Sequence, residues 1–536
     1  MTSRDDNRKK PARTSLHVCR AMLLLGAMVP VLAACATPNR IVSNRGVVDS
    51  DASEVLAVGY RNIAERYIDP MRPQQIARNA LEGLSHIDGN ISVRVEGDDL
   101  MLVSDTHVRG HYRIPAEDDV EGWARLTFDV IDAGRAVSPN LRKASDEELY
   151  TAVFDAALDD LDGFSRYVGA SAADNTRAHR TGFGGLGVRL RHEDGILTIL
   201  DVYDDSPAAT GGLEAGDSIS HIDGQPVRDL TPTEAVDRLR GPIGSHINLT
   251  IKKKNGNRTV ELRRALIVPR TVSMVQENRI ATIRIDSFNR RTARNVARFI
   301  RRAEQDTLGT LKGLILDLRD NPGGLLDQSV LVADMFLDHG QILKTKGRHP
   351  QSSQNFGADS RDVALGVPIV VLINGGSASA SEIVAAALQD QGRAVVVGSK
   401  SYGKGTVQNV VRLPNNGEII LTWSLIYTPS GYMLNKLGVL PTLCTSSAGD
   451  GAAPSVSQID ALLDAEIAKP RTSLTSWRYA SADTRKLIEA TCPAVSKNSD
   501  RDLQIARLLL EHPVLYAKAL MLSGPEISTA QAADTD

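Results

Sequence analysis

A chain of 536 residues is too long for one ordinary core and divides into about three folded units at roughly 100–200 residues each. Its content of 42% hydrophobic and 24% charged residues is that of a globular protein. The formal charge of -3 supplies no basic field for nucleic acid and no strongly acidic tail, so charged partners have to be recognised locally. In chain order, Arg8, Lys9, Lys10, Arg13 and Arg20 precede an apolar run over 21–31. The run is too short to span a bilayer and has the layout of a secretory signal.

That run ends in Leu32-Ala33-Ala34-Cys35, which resembles the bacterial lipoprotein box. The resemblance implies a signal peptide over 1–34, a lipid on Cys35 and a polar tether over 35–50. The alternatives are a plain signal peptide and a cytoplasmic protein with an apolar N-terminal helix. Ala36 after the cysteine implies, by the sorting rule of Gram-negative lipoproteins, the outer membrane and a place in the cell envelope facing the periplasm. Loss of the leader removes Cys19 and leaves Cys444 and Cys492 beside Cys35. In an oxidising compartment the two either pair, closing a loop of about 50 residues, or stay as separate buried thiols.

Over 51–180 the apolar residues Val55, Val58, Ile63, Ile76, Ala80 and Leu84 recur at helical spacing. Alternation at Ile91, Val93 and Val95, and again at Ala124, Leu126 and Phe128, predicts strands. Helical spacing returns at Leu149, Val153, Ala156, Ala157 and Leu161. Between 181 and 267 the texture changes to short strands punctuated by glycine. Gly184-Gly185-Leu186-Gly187-Val188, Ser206-Pro207-Ala208-Ala209, Gly216-Asp217-Ser218-Ile219 and Ile222-Asp223-Gly224-Gln225-Pro226-Val227 resemble, in order and spacing, a bacterial PDZ domain. In such a loop consecutive N–H groups at Gly185, Leu186, Gly187 and Val188 form a nest for a terminal carboxylate, and a peptide adds as a strand beside it. Taken alone, Gly184 to Gly187 also reads as a hairpin turn.

From 268 to 445 the pattern is α/β: strands near 280–285, 313–318, 367–373 and 394–397 alternate with helices at 292–304, 325–336 and 382–389. Loops at one edge of such a sheet carry the chemistry. Arg319-Asp320-Asn321-Pro322-Gly323-Gly324 bares backbone N–H groups suited to an oxyanion. Asn374-Gly375-Gly376-Ser377-Ala378-Ser379-Ala380-Ser381-Glu382 carries three candidate nucleophiles, although Ser379 with Glu382 is also a capping box. Ser401-Tyr402-Gly403-Lys404-Gly405-Thr406-Val407-Gln408 supplies a lysine that is either a base or an ordinary surface residue. Gly398 to Gly405 nearly matches a P-loop, but Gly405 stands where magnesium needs Ser or Thr, and a strand-like run follows where a helix is required. Residues 446–536 turn helical, at 459–467 and 503–510.

The three loops, the PDZ-like insert and the helical segment before it resemble the carboxyl-terminal processing proteases from about residue 55 to 442. The resemblance implies an α/β core of the crotonase and Clp-protease type with an inserted, mostly-β PDZ domain and helical N- and C-terminal regions. It makes Ser379 the nucleophile, Lys404 the general base and Gln408 the residue that orients it. Ala380 and one of Gly323 and Gly324 form the oxyanion hole, while Ser377 and Ser381 serve turn and cap. If the chain after Lys404 is extended, period two places Lys404 and Gln408 on one face. A lysine base needs a pKa near 7–8, so Lys404 is expected buried beside Ser379 without a carboxylate partner.

Two departures from the family pattern, Asp162-Gly163-Phe164-Ser165 and Thr442, are expected away from this trio. The implied function is endoproteolysis of exported proteins captured by their C-terminal tails, without metal or other cofactor and without nucleic acid. The membrane is a partner through the lipid, and an adaptor protein and a homo-oligomer stay open. The rival readings are an inert PDZ scaffold and a nucleotide-binding protein.

Overall fold

The computed structural model describes residues 45–253, 256–359, 362–364, 366–446, 454–468, 492–496 and 500–523, with isolated helical positions between 483 and 490. Cys35 and the leader lie outside the described residues. Residues 49–536 form one compact unit. Among the described residues no helix is long and apolar enough to cross a membrane.

The N-terminal helical stretch comes in two main pieces, Arg45–Arg66 and Pro73–Glu82. Pro73 starts the second, because a missing N–H costs nothing in the first turn of a helix. Strands Ile91–Glu96, Asp99–Ser104 and His107–Arg113 follow as an antiparallel sheet. The strand expected around Ala124, Leu126 and Phe128 is instead the interior of helix Val120–Val137, started by Asp119, whose side chain accepts from Gly122 N–H at 2.9 Å. The alternation was part of a longer helical pattern in which Trp123, Ala124, Thr127, Val130, Ile131 and Gly134 are buried. Tyr60, Trp123 and Phe154 anchor this core, which also takes in Ile419 and Leu421 from far along the chain.

Helix Ala170–Thr181 leads into the glycine-punctuated module. Phe183–Gly185 pairs with Ala265–Ile267, so the chain enters and leaves that module side by side, as an inserted domain must. Its sheet runs Gly256–Arg263, His246–Lys253, Ser218–Ile222, Ile196–Val202, Val188–Glu193, which leaves Val188–Glu193 as an edge. Helix Pro232–Leu239 contributes Ala235 and Leu239 to its core.

The third region is built on a six-stranded sheet in the order Val272–Glu277, Ile280–Ile285, Gly313–Asp317, Ile369–Ile373, Val395–Gly398, Leu443–Cys444, parallel after the first pair. Its central strands Gly313–Asp317, Ile369–Ile373 and Val395–Gly398 are buried throughout and read as nearly continuous apolar runs because both faces are covered. Ile369, Val371 and Ile373 pack with helices Thr292–Asp306, Leu326–Asp334 and Ala380–Asp390. Val370 and Leu372 face the C-terminal helices Val456–Ala468, Asp500–Glu511 and Pro513–Met521.

A second, antiparallel sheet runs Gln354–Gly357, Gln341–Lys346, Glu418–Tyr427, Thr406–Arg412, with Arg166–Val168 added beside Glu418–Tyr427. The strand Thr406–Arg412 stands where a P-loop needs a helix, so the nucleotide reading loses its structural basis. Cys444 and Cys492 are joined in a disulfide with their Cα atoms 5.9 Å apart, which settles the choice between paired and separate thiols.

Candidate active site

Three loops leave the parallel strands at their C-terminal ends, where open α/β sheets place their sites. The first two are laced together. Asn374 Oδ1 accepts from Asp320 N–H at 2.8 Å, Ala378 N–H donates to Asn321 O at 2.9 Å, and Ser381 Oγ donates to Asn321 O at 2.9 Å. Ser377 Oγ donates to Leu318 O at 2.8 Å. Ser377 and Ser381 are thus spent on backbone carbonyls.

Ser379, the remaining candidate, sits at φ 56° and ψ -114° immediately before helix Ala380–Asp390. A side-chain-bearing residue in the left-handed region costs of order 1–3 kcal/mol and persists only where its surroundings enforce it. The strand-to-helix turn is therefore a strained elbow, reached without the Gly-x-Ser-x-Gly sequence usually read for one.

Glu382 enforces the turn. Its Oε2 accepts from Ser379 N–H at 2.7 Å and from Lys404 N–H at 2.9 Å. Its Oε1 accepts from Ser401 Oγ at 2.5 Å and Gly403 N–H at 2.7 Å. One fully buried carboxylate thus clamps the nucleophile turn to the lysine loop, and the backbone nitrogens of Ser379 and Lys404 are no farther apart than two hydrogen bonds end to end. Burial pushes the Glu382 carboxyl above its ordinary range against the pull of these donors. The sequence reading saw only a helix cap in this glutamate. Its capping half is present, but nothing in the sequence linked it to a loop some twenty residues on.

Lys404 is half-buried and makes no ion pair among the described residues. Burial, with Arg166 nearby, holds its amine below the usual lysine range, outweighing Asp162 and Glu382. The amine stands 4.7 Å from the centre of the Phe164 ring, and among the described residues no hydrogen bond joins it to Ser379 Oγ.

Asp162-Gly163-Phe164-Ser165, expected away from the trio, instead reaches it through Phe164, whose ring lies against the Lys404 amine. Strand Arg166–Val168 carries it there by pairing with Glu418–Tyr427. Ser165 Oγ accepts from Thr422 N–H at 3.1 Å, and Asp162 Oδ1 accepts from Thr422 Oγ1 at 3.0 Å. Thr442 does lie in packing, accepting from Gln389 Nε2 at 3.2 Å.

Gln408 differs from expectation. The strand begins only at Thr406, so Lys404 lies before the extended run in which period two holds; within that run Thr406 and Gln408 share a face, and the register shift beside them puts its extra residue, Trp423, on the partner strand. Gln408 Nε2 donates to Thr406 Oγ1 and Thr422 Oγ1, both at 3.0 Å, and not to Lys404.

Gly323 lies directly against the elbow. A Cβ added to it would stand 2.8 Å from Ala378 O, 2.9 Å from Ser379 Cβ and 3.0 Å from Ala380 N. Gly323 N–H donates to Asn321 Oδ1 at 2.9 Å, whereas among the described residues the N–H groups of Gly324 and Ala380 have no hydrogen-bond partner. In the inserted module Leu186 is buried and Gly187 has φ 77°. Leu186 O accepts from Ala208 N–H at 3.0 Å and Gly187 O from Tyr203 N–H at 2.8 Å, so both carbonyls are engaged. Gly185 ends the short strand before them and Val188 opens the edge strand after them.

Residues 279–444 match peptidase family S41, and residues 184–263 match the PDZ domain. A carboxy-terminal-processing protease of Bartonella bacilliformis is 41% identical over 302 residues, covering 56% of this chain and 70% of that one. The chain belongs to the carboxyl-terminal processing proteases, the serine-type peptidases of family S41. The carboxy-terminal processing protease CtpA of Bacillus subtilis is 31% identical over 306 residues, covering 56% of this chain and 64% of the relative, so part of each protein lies outside the likeness. Among solved structures, a photosystem II D1 C-terminal processing protease is 25% identical, covering 73% of this chain and 92% of that one at a TM-score of 0.37, too low to add to the family match. Ser379, Lys404, Gln408 and the Gly323-Gly324 turn all fall within the S41 match, whereas Phe164 precedes it and the C-terminal helices follow it.

Proposed function

We propose that this protease cuts proteins near their C-termini with a Ser379/Lys404 pair. The observation that carries the reading is the Glu382 clamp, which sets the strained serine and a half-buried lysine, without an ion pair among the described residues, on adjoining loops. In the reaction the neutral Lys404 amine leaves the Phe164 ring, takes the proton from Ser379 Oγ, and Oγ attacks the scissile carbonyl carbon. The oxyanion is received by Ala380 N–H and the unengaged N–H of Gly324, with Gly323 packed beneath the elbow. The Lys404 ammonium then protonates the leaving amine, and the lysine activates the water that frees the acyl enzyme. Gln408 acts at one remove, through Thr422 and the Asp162–Ser165 turn.

Substrates are captured by their tails: the terminal carboxylate is held at Leu186 and Gly187, and the peptide adds as a strand along Val188–Glu193. Cys35 carries a lipid that holds the enzyme in the cell envelope, facing the periplasm, at the outer membrane. An inert PDZ scaffold is the second reading, and the missing Ser379–Lys404 hydrogen bond is the observation on its side. Labelling with a serine-reactive phosphonate separates the two. An adduct on Ser379 that is lost in Lys404→Ala supports the hydrolytic pair, and no adduct under conditions where a tail peptide binds supports the scaffold.

A further inference from the structure

The C-terminal extension lies beyond the S41 match, yet it touches all three catalytic loops. On the first loop, Asp502 Oδ2 accepts from Arg319 Nη1 at 3.3 Å. Arg319 also grips Asp317 through Nε at 2.9 Å and Nη2 at 2.8 Å, and all three side chains are buried. On the second, Val495 O accepts from Gly375 N–H at 2.8 Å, four residues before Ser379. The approach is close enough that a Cβ on Gly375 would meet the Val495 backbone at 3.1 Å. On the third, Ser399 Oγ donates to Val495 O and accepts from Val495 N–H, both at 3.2 Å, and Lys400 Nζ pairs with Glu489 at 2.6 Å. The strap formed by 492–496 is fastened by the Cys444–Cys492 disulfide, whose other half ends the last strand of the catalytic sheet.

We propose that this strap is a positioning element of the active site, latched by the disulfide, so that catalysis depends on the redox state of Cys444 and Cys492. A backbone peptide at Val495 bridges the loops of Ser379 and Lys404, and the Lys400–Glu489 pair adds a second tether from beyond the family match to the lysine loop. In the switching step a dithiol reductant attacks the Cys444–Cys492 bond. The S–S bond breaks, two thiols form, and the reductant closes to its own disulfide. Freed at one end, the strap loosens its hold on Gly375 and Ser399, and the serine and lysine spend less time in register. The inference rests on the hydrolytic reading above.

The test uses the full chain and a tail-exposed peptide substrate, first oxidised, then treated with dithiothreitol until maleimide labelling shows Cys444 and Cys492 free, then reoxidised. A fall in kcat of about tenfold or more with KM within about twofold, restored on reoxidation, is the expected result, with the Cys444→Ser/Cys492→Ser variant already at the low kcat and unresponsive to dithiothreitol; a variant as active as the oxidised parent overturns the inference. Unchanged kcat in the reduced protein overturns the inference. Should the double-serine variant fail to fold, Ser399→Ala removes the Val495 bridge with the disulfide intact, and a kcat equal to the parent's overturns it as well. Failure of the oxidised parent to cut at all would instead count against the Ser379/Lys404 reading.

Discussion

The nucleophile turn and the lysine loop are held in different ways. Residues 374–382 are fixed throughout: each of the three serines is placed by the fold, and Ser379 is forced into a strained backbone. The loop carrying Lys404 is held by Glu382 and, through Ser399 and Lys400, by the C-terminal segment, while the amine at the end of the Lys404 side chain lies against Phe164. The serine is placed by its strained backbone, whereas the lysine amine rests on an aromatic ring that the proposed mechanism requires it to leave.

Lys404→Ala breaks that comparison outright. Cleavage of a tail-exposed peptide should fall about 10³-fold or more, within the range for loss of a general base, with an unchanged circular dichroism spectrum. Glu382→Gln comes next, since it replaces one acceptor oxygen by a donor that faces N–H and O–H groups. Hydrogen bonds to a buried charge contribute about 1.5–3 kcal/mol each, so kcat should drop about 10²-fold and thermal unfolding should come several degrees earlier.

Gly323→Ala pushes a methyl against the elbow backbone from a glycine at φ 102°, and a loss of about tenfold in kcat with little change in KM is expected from steady-state kinetics. Phe164→Ala sharpens the comparison most gently. Burial is the largest cause of the lowered Lys404 pKa, and in the proposed mechanism the neutral amine is the active form, so activity should rise as pH rises through that pKa. Removing the ring admits water and should move this limb of the kcat/KM profile to higher pH.

Much of this was legible in the sequence, and the rest was hidden for physical reasons. The loops that carry Ser379, Lys404 and the glycine turn were legible because loops after apolar strand runs are local features, and the PDZ pieces were legible because tight turns demand glycine. The antiparallel sheet of Gln341–Lys346 and Glu418–Tyr427 was not foreseen, since its order is set by pairing across long separations. The same pairing carries Phe164 onto Lys404 from 240 residues away, and the strand carrying Gln408 starts only at Thr406, so a face argument that assumed an extended chain from Lys404 onward fails there. Helix Val120–Val137 was missed because three of its apolar positions also fit a period of two.

The rate of phosphonate addition to Ser379 as a function of pH, measured on the parent and on Lys404→Ala, tests the Ser379/Lys404 pair most directly. The pair predicts labelling of the parent that climbs with pH to a midpoint below the ordinary lysine value, and almost none in the variant. Equal labelling of both proteins across the same range would show that Lys404 does not activate Ser379.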